Sequence, residues 1–306
     1  MQKFAPSRLA VCALVLAAAA ATAGAARREL QGAAGGAGAA ILTGRPAEHG
    51  RWPYMVQLRA AAAVPRRSNT KGQFMCHGVL IQPDVVLTTM TCFHLSGRFP
   101  EARLGCTATN CTRHYESRQV VAAALHQGWD PSRPEKFLPE ANLALLLLDR
   151  CSKKSCLRIP TVALPLNPGK SATILGWGAT RWADTGVARA LMQASLQLMP
   201  QSACNLLWRG LVPGNPWWRQ PKAICGLTPG TGLCWDDNAA PLVLPGKKPA
   251  QDLLLGLGSA SECTGWRGSG FTNVGYYRGW IRGGIRVLRG RVPAGAQYIV
   301  QRPDRR

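Results

Sequence analysis

Acidic side chains are scarce in this sequence. Fifteen Asp and Glu stand against 37 Lys and Arg in 306 residues, a formal charge of +22, and 28 of the 37 cations are Arg. Such an excess does not choose a fold, but it favours anionic partners: sulfated glycans, anionic lipid or nucleic acid. The competing explanation is compositional, with Arg rising alongside the many Ala, Gly and Pro. Other absences exclude more. Past the first 26 residues no segment reaches eighteen consecutive apolar positions, so no transmembrane anchor is expected. There is no Cys-x-x-Cys, and the five His show no ligand spacing beside the thiols, which argues against a zinc site, dithiol redox chemistry and a cofactor in general. No recognition motif accompanies the charge, and together with the export signal described next this disfavours a nucleic-acid partner. Hydrophobic residues at 46% and charged residues at 17% fit neither a disordered chain nor a charged filament.

The chain opens with Lys3 and Arg8, an uncharged apolar stretch from Leu9 to Ala21, and small residues at Ala21-Thr22-Ala23 and Gly24-Ala25-Ala26. Residues 1–26 read as a secretory signal peptide, with an organelle transit peptide as the rival. Residues 27–40 are an Ala/Gly-rich linker or propeptide. Of the 11 cysteines, Cys12 lies in the leader and ten remain, an even set suited to disulfides in an exported chain. Asn110-Cys111-Thr112 is a sequon, which makes Asn110 a glycosylation candidate.

From Ile41 onward, strand-sized apolar runs recur between Gly, Pro and Asn: Tyr54 to Leu58, Phe74 to Ile81, Val85 to Thr89, Val120 to Leu125, Leu143 to Leu148, Ala172 to Leu175, Pro241 to Leu244 and Leu253 to Leu257. They predict an all-β barrel or sandwich. Ala60 to Gly72 and Gly210 to Gln220 read as long loops. The end of the chain differs. Tyr276, Trp280, Ile281, Ile285 and Leu288 recur at helical spacing, and Arg278, Arg282, Arg286 and Arg289 form a basic stripe beside them. Gly279, Gly283 and Gly284 each weaken such a helix by about 1 kcal/mol relative to Ala, so it needs support from the rest of the fold.

These blocks resemble a known family. Ile41-Leu42-Thr43-Gly44 with Trp52-Pro53-Tyr54-Met55-Val56 is similar to the mature start of trypsin- and chymotrypsin-like serine proteases. FMCHGVLIQPDVVLTTMTCF at 74–93, NLALLLLD at 142–149, GWG at 176–178 and CWDDNAAPLV at 234–243 follow in the family's order, with Ser259 to Cys263 and Gly270 to Ile281 near its end. The resemblance implies two packed six-stranded antiparallel β-barrels with a C-terminal helix. The homology domain would occupy 41–290, leaving 291–306 as a basic tail. It also implies disulfides Cys76 with Cys92, Cys204 with Cys225, and Cys234 with Cys263. A fourth family bridge would join the positions of Ala172 and Leu244, both apolar here. Cys106 with Cys111 and Cys151 with Cys156 would be local clips, although four cysteines allow three pairings.

The family's chemistry needs a nucleophile, an imidazole and an orienting carboxylate. Thr91 stands at the His position, Asn142 at the Asp position and Asn238 at the Ser position. A Thr hydroxyl cannot accept a proton near neutral pH, and an amide supplies neither charge nor nucleophile. Asp236 replaces an oxyanion-site Gly and brings negative charge where negative charge would develop. Ala239 and Ala240 replace two glycines of the same turn. His94 is an ordinary loop histidine on this reading. Gly232 at the base of the specificity pocket brings no acid, and Ser259-Ala260-Ser261 lacks the usual aromatic wall. Asp237 is retained, either to pair with a freed Ile41 amine or to bind backbone in an uncut chain. No enzyme is expected.

A fold without its charge system functions by binding. The leading expectation is a secreted, non-catalytic homologue that binds heparin-like polyanions, with a role in host defence and granule storage as an option. Arg278, Arg282, Arg286, Arg289 and Arg291 are the first binding patch, and Arg66 with Arg67 the second. The alternative is a protein-binding cofactor, decoy or structural subunit. Trp217 and Trp218 are either packing residues or a contact site.

Overall fold

The computed structural model describes residues 41–60, 73–97, 99–126, 142–162, 167–179, 187–209, 221–234, 236–261, 263–266, 268–290 and 298–301. Arg66, Arg67, Arg291, Trp217 and Trp218 lie outside these residues, as do the leader, the linker and most of both expected long loops.

The strands are β1 (Arg45–Pro46), β2 (Met55–Arg59), β3 (Phe74–Gln82), β4 (Val85–Thr88), β5 (Glu101–Leu104), β6 (Glu116–His126) and β7 (Ala144–Leu148), then β8 (Ser171–Gly176), β9 (Met192–Leu198), β10 (Ala223–Leu227), β11 (Pro241–Leu244), β12 (Leu253–Ser261), β13 (Ser269–Asn273) and β14 (Tyr298–Gln301). Among the described residues three α-helices join them: α1 (Met90–Leu95), α2 (Gln201–Arg209) and α3 (Arg278–Leu288). No helix among the described residues is long and apolar enough to cross a membrane.

The strands form two closed six-stranded antiparallel barrels. The first runs β6-β5-β2-β3-β4-β7 and closes through β6 with β7; the second runs β9-β10-β13-β12-β11-β8 and closes through β8 with β9. Each barrel carries one further strand. β1 pairs with β9 of the second barrel, and β14 pairs with β6 of the first, Tyr298 opposite His126. The expected tail 291–306 thus contains an ordered strand. It covers β6 at Ala123 to His126, beyond the point where β5 ends its pairing at Gln119.

Continuous apolar runs such as Phe74–Gln82 and Ala144–Leu148 fill the first barrel, because barrel strands bury one face inside and the other beneath neighbouring elements. Leu58, Leu80, Leu87, Leu104, Leu125 and Leu146 are fully or almost fully buried there. The second core gathers Ile41, Ala172, Ile174, Leu196, Leu242 and Phe271, with Leu244 packed against it. Thr173 pairs with Val243, so Ala172 and Leu244 meet where the family bridge would have been. Two apolar side chains fill that space.

α3 packs on β6, β7 and β14. It buries Ile281, Gly284, Val287 and Leu288 while Arg282 and Arg286 face solvent, as the stripe predicted. Tyr276 departs from the expectation. It precedes the helix and is 41% exposed, and Tyr277 takes the buried place.

Disulfides join Cys76 to Cys92, Cys106 to Cys111, Cys204 to Cys225 and Cys234 to Cys263. Tying a loop the size of that between Cys76 and Cys92 stabilises the fold by about 3 kcal/mol on the chain-entropy account. The expected fifth clip is absent: Cys151 and Cys156 are both thiols. Ser152 N donates to Pro83 O and Leu157 N to Leu80 O, which leaves Cys151 exposed and Cys156 half-buried.

Candidate functional site

α1 starts at Thr89, whose extended backbone and hydroxyl, accepting from Cys92 N at 3.2 Å, cap the first turn. That cap places Thr91 in the first turn, 8% exposed. Both its backbone N–H and its hydroxyl donate to Asn142 Oδ1, at 3.1 and 3.2 Å. Asn142 is itself buried, just ahead of β7. The Thr91 proton is therefore committed to a neutral amide, and neither group can accept a proton near neutral pH. The Cys76–Cys92 bridge fastens α1 to β3, and Cys92 Sγ lies 3.4 Å from Asn238 O. Of the three positions assigned from the sequence, Thr91 touches Asn142 directly, and Asn238 approaches them through its backbone carbonyl, against the residue after Thr91. His94 sits in the last turn of α1, not in a loop, with its ring edge-on to Phe93.

The turn from Cys234 to Pro241 is conformationally demanding. Asp236 has φ +65° and Ala239 φ +60°, a left-handed region that costs an L-residue roughly 1–2 kcal/mol. Asp237 is held inside this turn. Its Oδ1 accepts from Gly178 N and its Oδ2 from Cys234 N, both at 3.0 Å. Burial pushes its carboxyl up to about 8 against those two bonds, and Asp236 adds like charge.

His77 is the site residue that sequence reading missed. It lies on β3, fully buried, stacked on Trp177 at 5.5 Å with the Phe74 edge at 5.1 Å. Trp177 N–H donates to Nε2 at 2.8 Å, and Nδ1 lies 3.0 Å from Asn238 O. Nε2 must then be unprotonated and Nδ1–H the donor, which makes the ring neutral. Burial pushes His77 down to about 4, in agreement. Its Nε2 is 4.0 Å from Asp237 Oδ1. The only signal in the sequence was one imidazole inside an apolar strand. Gly176 belongs to this cluster too, since a Cβ there would strike Asp237 Oδ1 and lie 3.2 Å from His77 Nε2.

Ile41 is fully buried with φ +60°. In the uncut chain the Asp237 carboxyl takes backbone donors, Gly178 N and Cys234 N. At the expected pocket base, Leu42 N donates to Gly232 O, and Leu233 N donates to Ser269 Oγ at 2.8 Å. A side chain at Gly232 would meet Ser269 Oγ at 2.8 Å. Ser259 Oγ pairs with Thr272 Oγ1 at 2.6 Å. Among the described residues no His, Cys, Asp or Glu group converges as a metal site.

The basic stripe is less uniform than its spacing implied. Arg282 and Arg286 are exposed and Arg278 is half-buried, donating to Gly275 O. Arg282 reaches Thr161 O at 3.3 Å. Arg289 is engaged bidentately by Asp84, at 3.2 and 2.5 Å. Asn110 is exposed within the loop closed by Cys106 and Cys111.

Comparison with known proteins agrees with this geometry. Glucanase inhibitor protein 1 of Phytophthora sojae is 28% identical over 224 residues, 72% of this chain and 77% of that protein. Serine protease 56 of Homo sapiens is 27% identical over 276 residues; the match takes in 86% of this chain but 42% of that longer protein. A solved human heparin binding protein superposes with TM-score 0.63 at 24% identity, covering 84% of this chain and 100% of that one. The family model described as Trypsin matches residues 41–281, which span both barrels and every residue of the junction. With that match and the paired barrels, the chain belongs to the trypsin family.

Proposed function

We propose that this protein is an exported, non-catalytic trypsin-family member that binds heparin-like polyanions. The observation that carries the non-catalytic half is the Thr91–Asn142 contact, where an imidazole and a carboxylate would be needed. Asp236 in the adjoining turn opposes the anionic charge that acyl transfer develops. The binding half rests on α3, whose inner face is buried while Arg282 and Arg286 project outward. Arg presents a planar fork of donors matched to sulfate and carboxylate oxygens. Arg278 and Arg289 flank them, Arg291 follows in sequence, and Arg66 with Arg67 are a second candidate patch on this reading. The name of the heparin binding protein supports this class of ligand, and four disulfides suit export.

A second reading is favoured by one observation, the match to a glucanase inhibitor: the chain binds another protein as inhibitor, cofactor or decoy. Heparin-affinity chromatography of the purified protein separates the two. Retention to moderate salt, lost on replacing Arg278, Arg282 and Arg286 by Ala, supports polyanion binding. Flow-through at low salt sinks it. Labelling by a fluorophosphonate serine-hydrolase probe would sink the non-catalytic reading.

A further inference from the structure

A second group of cations lies on the first barrel, outside the helix. Residues 149–158, following β7, carry Arg150, Lys153, Lys154 and Arg158 around the two free thiols. The backbone of this loop is spent inward. Ser152 N donates to Pro83 O at 2.7 Å, Leu157 N to Leu80 O at 2.8 Å, and Lys153 N to the Glu116 carboxylate at 3.2 and 3.3 Å. Arg118 Nη2 donates to Cys151 O at 3.2 Å. With its main chain fixed, the loop turns side chains outward: Lys153 is exposed, and Arg150 is 67% exposed.

Contacts carry this loop in two directions. Toward one side, the Lys154 stem lies directly over Gly105, and Nζ donates to His114 O at 3.4 Å, beside exposed Arg113 and His114. Toward the other, Pro83 is followed by Asp84, which holds Arg289 at the end of α3. One connected surface therefore runs from Arg282 and Arg286 through Arg289, Arg150 and Lys153 to Lys154 and Arg113. The acids along it are already engaged. Asp84 binds Arg289, Glu116 binds Arg118 at 2.5 Å, Glu101 binds Arg103 at 2.7 Å, and Asp149 faces Arg150 at 3.5 Å.

We infer that the ligand surface is this whole strip, and that its ligand is an extended, linear, polysulfated glycan chain. The inference rests on the polyanion reading above. Its cations are spread along the surface, most of them exposed, with Arg289 and Arg150 each beside one carboxylate, and they lack the convergence that would enclose one small anion. Each gains little alone in high dielectric, whereas a linear polyanion collects all of them and releases counterions at each contact. Arg282 to Arg289 alone span about 10 Å of helix axis at 1.5 Å per residue, so a short fragment covers the helix without reaching the loop.

The test compares three variants of the full chain on heparin: a loop variant (Arg113→Ala, Arg150→Ala, Lys153→Ala), a helix variant (Arg278→Ala, Arg282→Ala, Arg286→Ala), and a control on the second barrel (Arg45→Ala, Lys170→Ala, Lys247→Ala). The strip requires both the loop and helix variants to elute at lower salt than the control. Each should lower the slope of log K against log salt by about one per cation removed. Affinity for a long heparin chain should exceed that for a heparin tetrasaccharide in wild type, and this advantage should shrink in the loop variant. Thermal melting checks the fold, and the milder Arg113→Gln, Lys153→Gln variant serves if the triple melts early. A helix variant that shifts while the loop variant elutes with the control overturns the strip and leaves the polyanion reading standing. Equal shifts in all three overturn it in favour of net charge alone. Wild type that is not retained overturns both.

Discussion

His77 Nε2 approaches Asp237 Oδ1 to 4.0 Å, yet takes its hydrogen bond from Trp177 N. The two buried groups are neighbours without being an ion pair, and burial moves both toward neutrality. His77 is held down at about 4 and Asp237 up at about 8. Their effects on stability have opposite signs. Between about 4 and 6.5 the unfolded state binds the extra imidazole proton, so His77 makes stability rise with pH. From 3.8 to about 8 the folded state keeps the carboxyl proton that the unfolded state has lost, so Asp237 makes stability fall with pH.

The two contributions oppose each other below about 6.5, and Asp237 acts alone from there to about 8. Wild-type stability should decline across that upper window, by at most about 1.4 kcal/mol per pH unit for one proton. Asp237→Asn should flatten the decline while lowering stability at acidic pH, because an amide cannot accept from both Gly178 N and Cys234 N. Chemical denaturation between pH 5 and 8.5 measures both curves. Parallel curves would contradict the placement of the proton.

Restoring the three side chains should not restore the enzyme. Thr91→His, Asn142→Asp and Asn238→Ser together leave Asp236, with its negative side chain, in the left-handed turn. Loss of a single oxyanion donor costs roughly 10²–10³ in rate. An activated ester assay should therefore read at buffer background for the triple variant and rise only when Asp236→Gly is added.

Asp252 fastens the two barrels at one buried point. Its carboxylate accepts from Arg51 at 2.5 and 2.8 Å, from the Tyr54 hydroxyl at 2.6 Å and from Gly246 N at 2.7 Å. Asp252→Ala takes the carboxylate from the Tyr54 hydroxyl and leaves Arg51 only its bond to Gly246 O and its place over the Trp52 ring, and should destabilise the fold by roughly 3–5 kcal/mol. Tyr54→Phe removes one bond to a charged group and should cost about 1.5–3 kcal/mol. Urea midpoints with unchanged m-values would establish the order.

Cys151 and Cys156 should differ in reactivity. Burial pushes the Cys156 thiol up, with Asp84 and Cys151 adding negative charge, so less thiolate is present near neutral pH. Iodoacetamide on the unreduced protein should label Cys151 first and Cys156 more slowly. Mass spectrometry that finds neither site labelled would show them joined.

The barrel strands that could be read in advance were those whose side chains are apolar on both faces, such as Phe74–Gln82. Glu101–Leu104 and Met192–Leu198 went unrecognised because polar residues alternate through them, and only their partners on both sides make them strands. The contact between Thr91 and Asn142 involves two positions that the sequence singles out through the motifs around them. His77 was not singled out: its partners Trp177 and Asn238 lie 100 and 161 residues away, and nothing local announces them. Likewise, the spacing of the Arg stripe gave the solvent face of α3 but not the pairing of Arg289 with Asp84, which depends on the β3–β4 turn.

The two ends of the described chain trade places. Arg45–Pro46 completes the sheet of the later barrel, while Arg278–Leu288 and Tyr298–Gln301 lie on the earlier one. Neither half can be excised as an autonomous piece. Cutting between the barrels would strip β6 of its covering strand and β9 of its neighbour, exposing ladder groups that invite edge-to-edge aggregation. Clipping the last residues would uncover Ala123 to His126 in the same way, so a protease acting far from the junction could still govern whether this chain aggregates.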